Sequence, residues 1–265
     1  MEYDLTVSDE VKPMPRVTLV SGPGLGKTTF GVSTPSPVFI MTEEGCTAKV
    51  PKIPKIGKIE EWQDILGAIE FLIGANHDRT TLIVDVVNQA EKLCREYICK
   101  EHFGGRWTAE RGKPGFNQWA EGDKLTSIEF MRLLKGLDIL RREKGMWIIL
   151  LAHEGLHRHG NALGDDFQKI GAAMHKFTWQ SILEWSDQVG HITKDFVSIL
   201  KQGDRIAKQK GDNKRVCYFE GGPGRDAKSR AGYEMPEKID FTYGNYMEVY
   251  QAYQLKGESN GSIKS

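Results

Sequence analysis

Neither sign of charge prevails in this chain: 36 lysines and arginines face 36 aspartates and glutamates, for a formal net charge of zero. No global field draws it to nucleic acid or to an anionic membrane, so any polyanion site must be a local patch. No apolar run is long enough to span a bilayer, and the opening Met1-Glu2-Tyr3-Asp4-Leu5 has no signal-peptide pattern. A cytoplasmic protein without a membrane partner is expected. Cysteine is scarce. The four present (Cys46, Cys94, Cys99, Cys217) form no C-x-x-C pair, and His102 after Cys99 has no fourth ligand near it in sequence. Reduced structural thiols are expected rather than a zinc site or a disulfide framework. Internal repeats and a convincing linker are also lacking. At 265 residues the chain can bury a full α/β core. The expected organisation is an extension over residues 1–13, one core over 14–255, and a disordered tail over 256–265, rich in Gly, Ser, Asn and Lys.

What is present is concentrated near the start. Arg16 opens a short apolar segment that runs into Ser21-Gly22-Pro23-Gly24-Leu25-Gly26-Lys27-Thr28-Thr29. A strand, a glycine-rich loop and Gly-Lys-Thr at the mouth of a helix read as a phosphate cradle, the alternative being a plain glycine turn between strand and helix. Backbone N–H groups wrap the phosphates, the lysine reaches the outer ones, and the threonine hydroxyl ligates Mg²⁺. Ser21 stands where the G-x-x-x-x-G-K-[ST] pattern has its first glycine, but Gly22, Gly24 and Gly26 still supply backbone freedom.

Downstream, apolar runs at 38–41, 81–85 and 147–152 read as buried strands, with later strands at 188–193 and 215–219. Helical spacing appears over 59–73 (Trp62, Ile65, Leu66, Ile69, Leu72), and helices are expected over 88–99 and 124–142. Apolar strands separated by helices predict an α/β fold whose mostly parallel sheet is covered on both faces, with an antiparallel or hairpin edge among the later strands.

Asp85 closes the third strand about sixty residues after Lys27, where a carboxylate would hold Mg²⁺ through water; capping the next helix is its other possible use. Val86, not an acid, follows it, so a base for hydrolysis must come from elsewhere. Glu43 and Glu44 end the second strand at the sheet edge where open α/β folds bind ligands. Glu43 is the chosen water-activating base, with Glu44 as alternative. His153 ends the fourth strand on the same edge, as a γ-phosphate sensor or a structural hydrogen-bonding group.

Two loops mix cations with rings: residues 104–116, with Arg106, Trp107, Arg111, Lys113 and Phe116, and residues 154–160, with His157 and Arg158. Such a mixture suits single-stranded DNA, cations tracking phosphates and rings stacking on bases; a solvated loop with packing aromatics has the same composition. Lys228 and Arg230 sit on a compact basic turn, either a surface turn or a finger toward a neighbouring subunit's phosphate.

Together these segments resemble the RecA-like P-loop ATPases, and among them the compact phage nucleotide-binding proteins that include single-strand annealing and recombination ATPases. The likeness rests on residues 21–29, 39–45, 82–85, 148–153 and 228–232. It implies ATP and Mg²⁺ as cofactors, Glu43 as water activator and His153 as nucleotide sensor. DNA contact by the two loops is also implied, as is a trans role for the K-x-R-x-G turn Lys228–Gly232, which is similar to that of replicative helicases. Lys27, Glu43, His153, Lys228 and Arg230 would then be the catalytic set. Single-stranded DNA, self-association in a ring or filament, and a single-strand-binding protein are the implied partners, in a bacterial host cytoplasm. An ATPase of phage-type recombination or replication, a nucleotide-gated DNA-binding or loader module with negligible hydrolysis, and a helicase-like motor all fit this pattern.

Overall fold

The computed structural model describes residues 13–43, 53–160, 164–199 and 208–261, with the backbone alone at 196–199, 208–213 and 254–261. Glu44 and Cys46 lie outside the described residues, as does all but Pro13 of the expected extension.

The first strand, β1 (Val17–Ser21), leads into α1 (Lys27–Val32), then β2 (Pro37–Met41), α2 (Trp62–Gly74) and β3 (Thr81–Asp85). Next come α3 (Val87–Phe103), α4 (Glu121–Glu143), β4 (Trp147–His159), β5 (Phe167–Ala172), α5 (Lys176–Trp185) and β6 (Gln188–Ile199). The chain closes with β7 (Lys208–Tyr218), β8 (Lys228–Ser229), β9 (Lys238–Asp240) and α6 (Tyr243–Gly261). The tail expected from residue 256 thus falls on the end of α6 as far as Gly261, and its last four residues lie outside the described ones.

One sheet runs in the order β2-β3-β4-β1-β6-β7-β9. Its first five strands are parallel, and β7 and β9 add antiparallel on the far side. This is the α/β arrangement expected, a mostly parallel sheet with an antiparallel edge. Apolar side chains on both faces of each strand explain the continuous apolar runs. Val20, Val38, Ile40, Val84, Leu150 and Val189 pack with α2, α3, α4 and α5. Their alternates Val17, Leu19, Phe39, Ile83, Ile149 and Ile192 pack with Phe30 of α1 and Tyr246 and Tyr250 of α6.

Residues 154–159, expected in a loop, instead continue β4 beyond the sheet edge and pair antiparallel with β5, from Glu154 opposite Ala172 to His159 opposite Phe167. The physical reason is a period of two: along this stretch partly buried and exposed residues alternate strictly, as a two-stranded ribbon requires.

Register fixes the site. Ser21 pairs with His153 and with Ile192, and Met41 pairs with Asp85. The ends of β1, β2, β3 and the sheet-bound part of β4 therefore reach the same carboxyl edge. β4 lies between β1 and β3, so His153 stands between the P-loop and Asp85.

Candidate active site

At this edge a cavity of about 560 Å³ is lined by residues 23–29 of the glycine loop together with Glu43, Asp85, His153 and Arg215. Its size lies within the range of small-molecule sites. Gly26 adopts φ +91° at the start of α1, a left-handed conformation a side chain would strain. Ser21, at the position of the missing glycine, is fully buried and useful there. Its hydroxyl lies 2.9 Å from Lys27 Nζ, which also donates to the carbonyl oxygens of Ser21 (3.0 Å) and Gly22 (3.1 Å). The lysine is folded back onto its own loop. Burial pushes its pKa below the ordinary lysine value, against the pull of Asp85, Glu154 and Glu43.

Thr28 donates its hydroxyl to Asp85 Oδ2 at 2.8 Å. Burial pushes the Asp85 carboxyl up, and the Thr28 hydrogen bond and the Lys27 charge hold it back. Two hard oxygen donors in contact at the mouth of a phosphate loop fit Mg²⁺. No cluster of three or more His, Cys, Asp or Glu able to hold a metal occurs among the described residues. Magnesium at Thr28 and Asp85 would therefore need phosphate oxygens and water to complete its shell, so that ion and nucleotide would enter together.

Across the cavity, His153 Nε2 lies 3.2 Å from Glu43 Oε2. Each member is held from behind. The Thr42 amide donates to Asp85 O (2.9 Å) and its hydroxyl to Val86 O (2.7 Å), so the end of β2 is tied to β3 next to Glu43. Asn88 grips the His153 peptide from both sides, accepting from its N–H at 2.6 Å and donating to its carbonyl at 3.2 Å.

Three residues of this region carry no signal that singles them out in the sequence. Glu154 stands beside Gly22 and accepts from His191 at 3.1 Å. Asn88 fixes the backbone of His153. Arg215, from β7, lies against Gly26. Neither Asn88 nor Arg215 belongs to a local motif, so only the sheet order brings them in.

Lys228 and Arg230 do not converge on this cavity. Lys228 pairs with Val189 and Ser229 with Gln188, which itself pairs with Val17 at the start of β1. They lie at the amino edge, opposite the P-loop. Arg230 Nη1 donates to Asp187 Oδ1 at 3.2 Å, and the same carboxylate takes Arg16 at 2.8 Å and Arg141 at 3.5 Å. A second donor of Arg230 goes to the Glu184 carbonyl. The basic turn is thus a strut between β8, β6 and α5; charge alone could not reveal its partner.

The two candidate polyanion segments both belong to structures launched from the carboxyl edge. α3 leaves directly after Asp85 and pairs antiparallel with α4 (Cys94 Sγ to Thr126 O, 3.8 Å; Arg95 to Asp123, 2.7 Å), and residues 104–120 make the turn between them. Arg106 is partly buried there, while Arg111, Lys113 and Trp107 are exposed. Phe116 is corrected: it is fully buried between Phe103 and Trp107, under the Arg95 guanidinium. Its ring lies so close to Gly122 that a Cβ there would come within 2.4 Å, so it cannot stack on a base. Trp119, which the sequence reading leaves aside, is 84% exposed. On the β4–β5 ribbon, Arg158 is exposed and paired with Asp166, whereas His157 Nε2 is engaged with Ala172 O at 2.6 Å.

Residues 14–231 match the model of the AAA domain family. No curated protein matches. Among solved structures, the RadB recombinase is similar at 15% identity and a TM-score of 0.40, over 78% of this chain and 81% of that one. No helix among the described residues is long and apolar enough to cross a membrane.

Proposed function

We propose that this chain, which belongs to the AAA domain family of P-loop ATPases, hydrolyses ATP with Mg²⁺ and couples nucleotide state to single-stranded DNA in recombination or replication. The observation that carries the hydrolytic reading is the convergence of Lys27, the Thr28–Asp85 pair and the Glu43–His153 pair on one cavity. Lys27 would leave the loop carbonyls for the outer phosphates, and Mg²⁺ held at Thr28 and Asp85 would neutralise charge on the phosphate chain. Glu43 would take a proton from water as its oxygen bonds to the γ-phosphorus. The bond from that phosphorus to the bridging oxygen breaks, leaving ADP and phosphate.

A carboxylate only accepts hydrogen bonds, so His153 Nε2 carries the hydrogen in its contact with Glu43. A γ-phosphate oxygen could take over that donor. Glu43 would then be released as a base, and the shift would pass through His153 into the β4–β5 ribbon that begins at the next residue. Exposed Arg158, Leu156 and Phe167 on the ribbon, and Arg111, Lys113, Trp107 and Trp119 on the α3–α4 turn, support DNA as the partner sensed.

Turnover with and without single-stranded oligonucleotide tests the reading. A DNA-stimulated rate that Glu43→Gln abolishes supports it. Negligible turnover in the wild type, with nucleotide-dependent DNA binding retained, favours a nucleotide-gated DNA-binding module. Val86 following Asp85, where a second acid would serve as base, is the feature that favours this second reading.

A further inference from the structure

We propose that Arg215 binds the phosphate chain of a nucleoside di- or triphosphate in the same chain's P-loop, from the flank opposite Asp85. The inference rests on the nucleotide reading above and adds to it a phosphate ligand from a strand outside the parallel part of the sheet.

Arg215 pairs with Lys194, two residues past Ile192, and Ile192 pairs with Ser21 at the end of β1. The side chain therefore stands just beyond the carboxyl edge, beside the glycine loop. Its guanidinium lies against Gly26 so closely that a Cβ on that glycine would come within 2.4 Å of Nη1. The left-handed backbone is what requires glycine at 26, and the missing side chain leaves the guanidinium room to lie against the loop. Arg215 lines the same cavity as Lys27, Thr28, Glu43, Asp85 and His153.

Several arginines near the two edges are committed to carboxylates: Arg95 to Asp123, Arg158 to Asp166, Arg16 and Arg230 to Asp187. Among the described residues no acid pairs with Arg215, and the two acids of the cavity, Glu43 and Asp85, come from β2 and β3, on the other side of β1. A planar fork of five donors in that position matches phosphate oxygens in a way that a lysine does not. The cavity then has a cation on each side of the phosphate path, Lys27 from within the loop and Arg215 from β7. It therefore selects for a polyphosphate: a monophosphate reaching the cradle with its one charged group does not need both.

The test uses the full chain with Mg²⁺ and fluorescent ribose-labelled ATP, ADP and AMP, comparing wild type, Arg215→Ala, Arg215→Lys and Lys27→Ala. Arg215→Ala should weaken ATP and ADP analogues about tenfold or more, as removal of a charge-assisted hydrogen bond does, and leave the AMP analogue unchanged. Arg215→Lys should recover only part, because it restores charge but not the fork. Because Arg215 is exposed, its variants should unfold at the wild-type temperature. An equal mixture of Arg215→Ala and Lys27→Ala proteins should show no recovery of affinity; recovery would place the arginine in a neighbouring subunit's site and overturn the same-chain assignment. Wild-type affinity in Arg215→Ala alongside weakened binding in Lys27→Ala would leave the nucleotide reading standing and overturn the role of Arg215. Wild-type affinity in Lys27→Ala would remove the nucleotide reading and this inference with it.

Discussion

His153 Nε2 and Glu43 Oε2 meet at 3.2 Å across the mouth of the glycine-loop cavity, although 110 residues separate them in the chain. The contact joins the proposed base to the strand end that leads directly into the β4–β5 ribbon. Replacing Glu43 by Gln keeps the shape and a hydrogen-bonding group but removes the proton acceptor. ATP turnover should fall by about 100-fold or more while nucleotide affinity stays near wild type. Steady-state rates and fluorescent-nucleotide binding on the same preparation check this; unchanged turnover would place the base elsewhere.

Asn88→Ala should act through His153 alone. Its side chain does not line the nucleotide cavity, but it holds the His153 peptide from both sides. Basal ATP turnover should fall modestly, and stimulation by single-stranded DNA should fall more. Asn88→Asp, which can still accept from the His153 amide, should recover part of that stimulation. Equal reduction of basal and stimulated rates would reduce Asn88 to a structural role.

Magnesium dependence should follow Asp85. In the wild type, Mg²⁺ with a non-hydrolysable ATP analogue at about 100 times Kd should stabilise the fold by roughly 2.7 kcal/mol. In Asp85→Asn the analogue should stabilise equally with magnesium and with EDTA. A thermal-shift titration reads this, and a persistent magnesium increment in the variant would contradict the placement of the ion.

Asp187 should dominate acid sensitivity. Burial pushes its carboxyl up, but the hydrogen bonds and charge of Arg16 and the charge of Arg141 outweigh that and hold it below its ordinary value of 3.8. For a carboxyl depressed in the folded state, the stabilisation is present above the ordinary value and is lost as pH falls through the lowered one. Unfolding temperature of the wild type should therefore drop across that acid window, and Asp187→Asn should flatten the drop. The variant should also be about 3 kcal/mol less stable at neutral pH, because Arg16, Arg141 and Arg230 are left without their shared partner. An Asp187→Asn protein with the wild-type pH profile would contradict this.

The proposed DNA binding should carry a salt signature. Replacing Arg111 and Lys113 with Ala should reduce the slope of log affinity against log salt by about 0.7 for each phosphate that is no longer neutralised. Trp119→Ala should weaken binding with little change of slope, as removal of a stacking platform does. Unchanged affinity in both would move the interface away from the α3–α4 turn.

Much of this site was legible because its signals are local. The glycine loop, Asp85 at the end of an apolar strand, and Glu43 and His153 at two further strand ends each sit where continuous apolar runs stop. Parallel order then places such stops on one edge. Arg215 was not legible, since it lies in a polar strand without a motif and reaches Gly26 only because β7 adds beyond β6. Residues 154–159 read as a loop because an extended ribbon is recognised only with its partner, Phe167–Ala172. Phe116 and Trp119 show the same limit from the other side. Neighbouring aromatics in one turn have opposite fates, and the difference lies in Gly122, which gives the Phe116 ring a place to pack. The apolar spacing of Trp179, Ile182 and Trp185 in α5 is a signal that the sequence does carry and that the reading of strands and helices above leaves unused.

Calorimetric titration of Mg-ATP into the full chain tests the central claim most directly, with Lys27→Ala as the comparison. The account predicts a saturable heat at one site per chain, abolished in the variant. No heat in the wild type, or the same heat in both proteins, would contradict it.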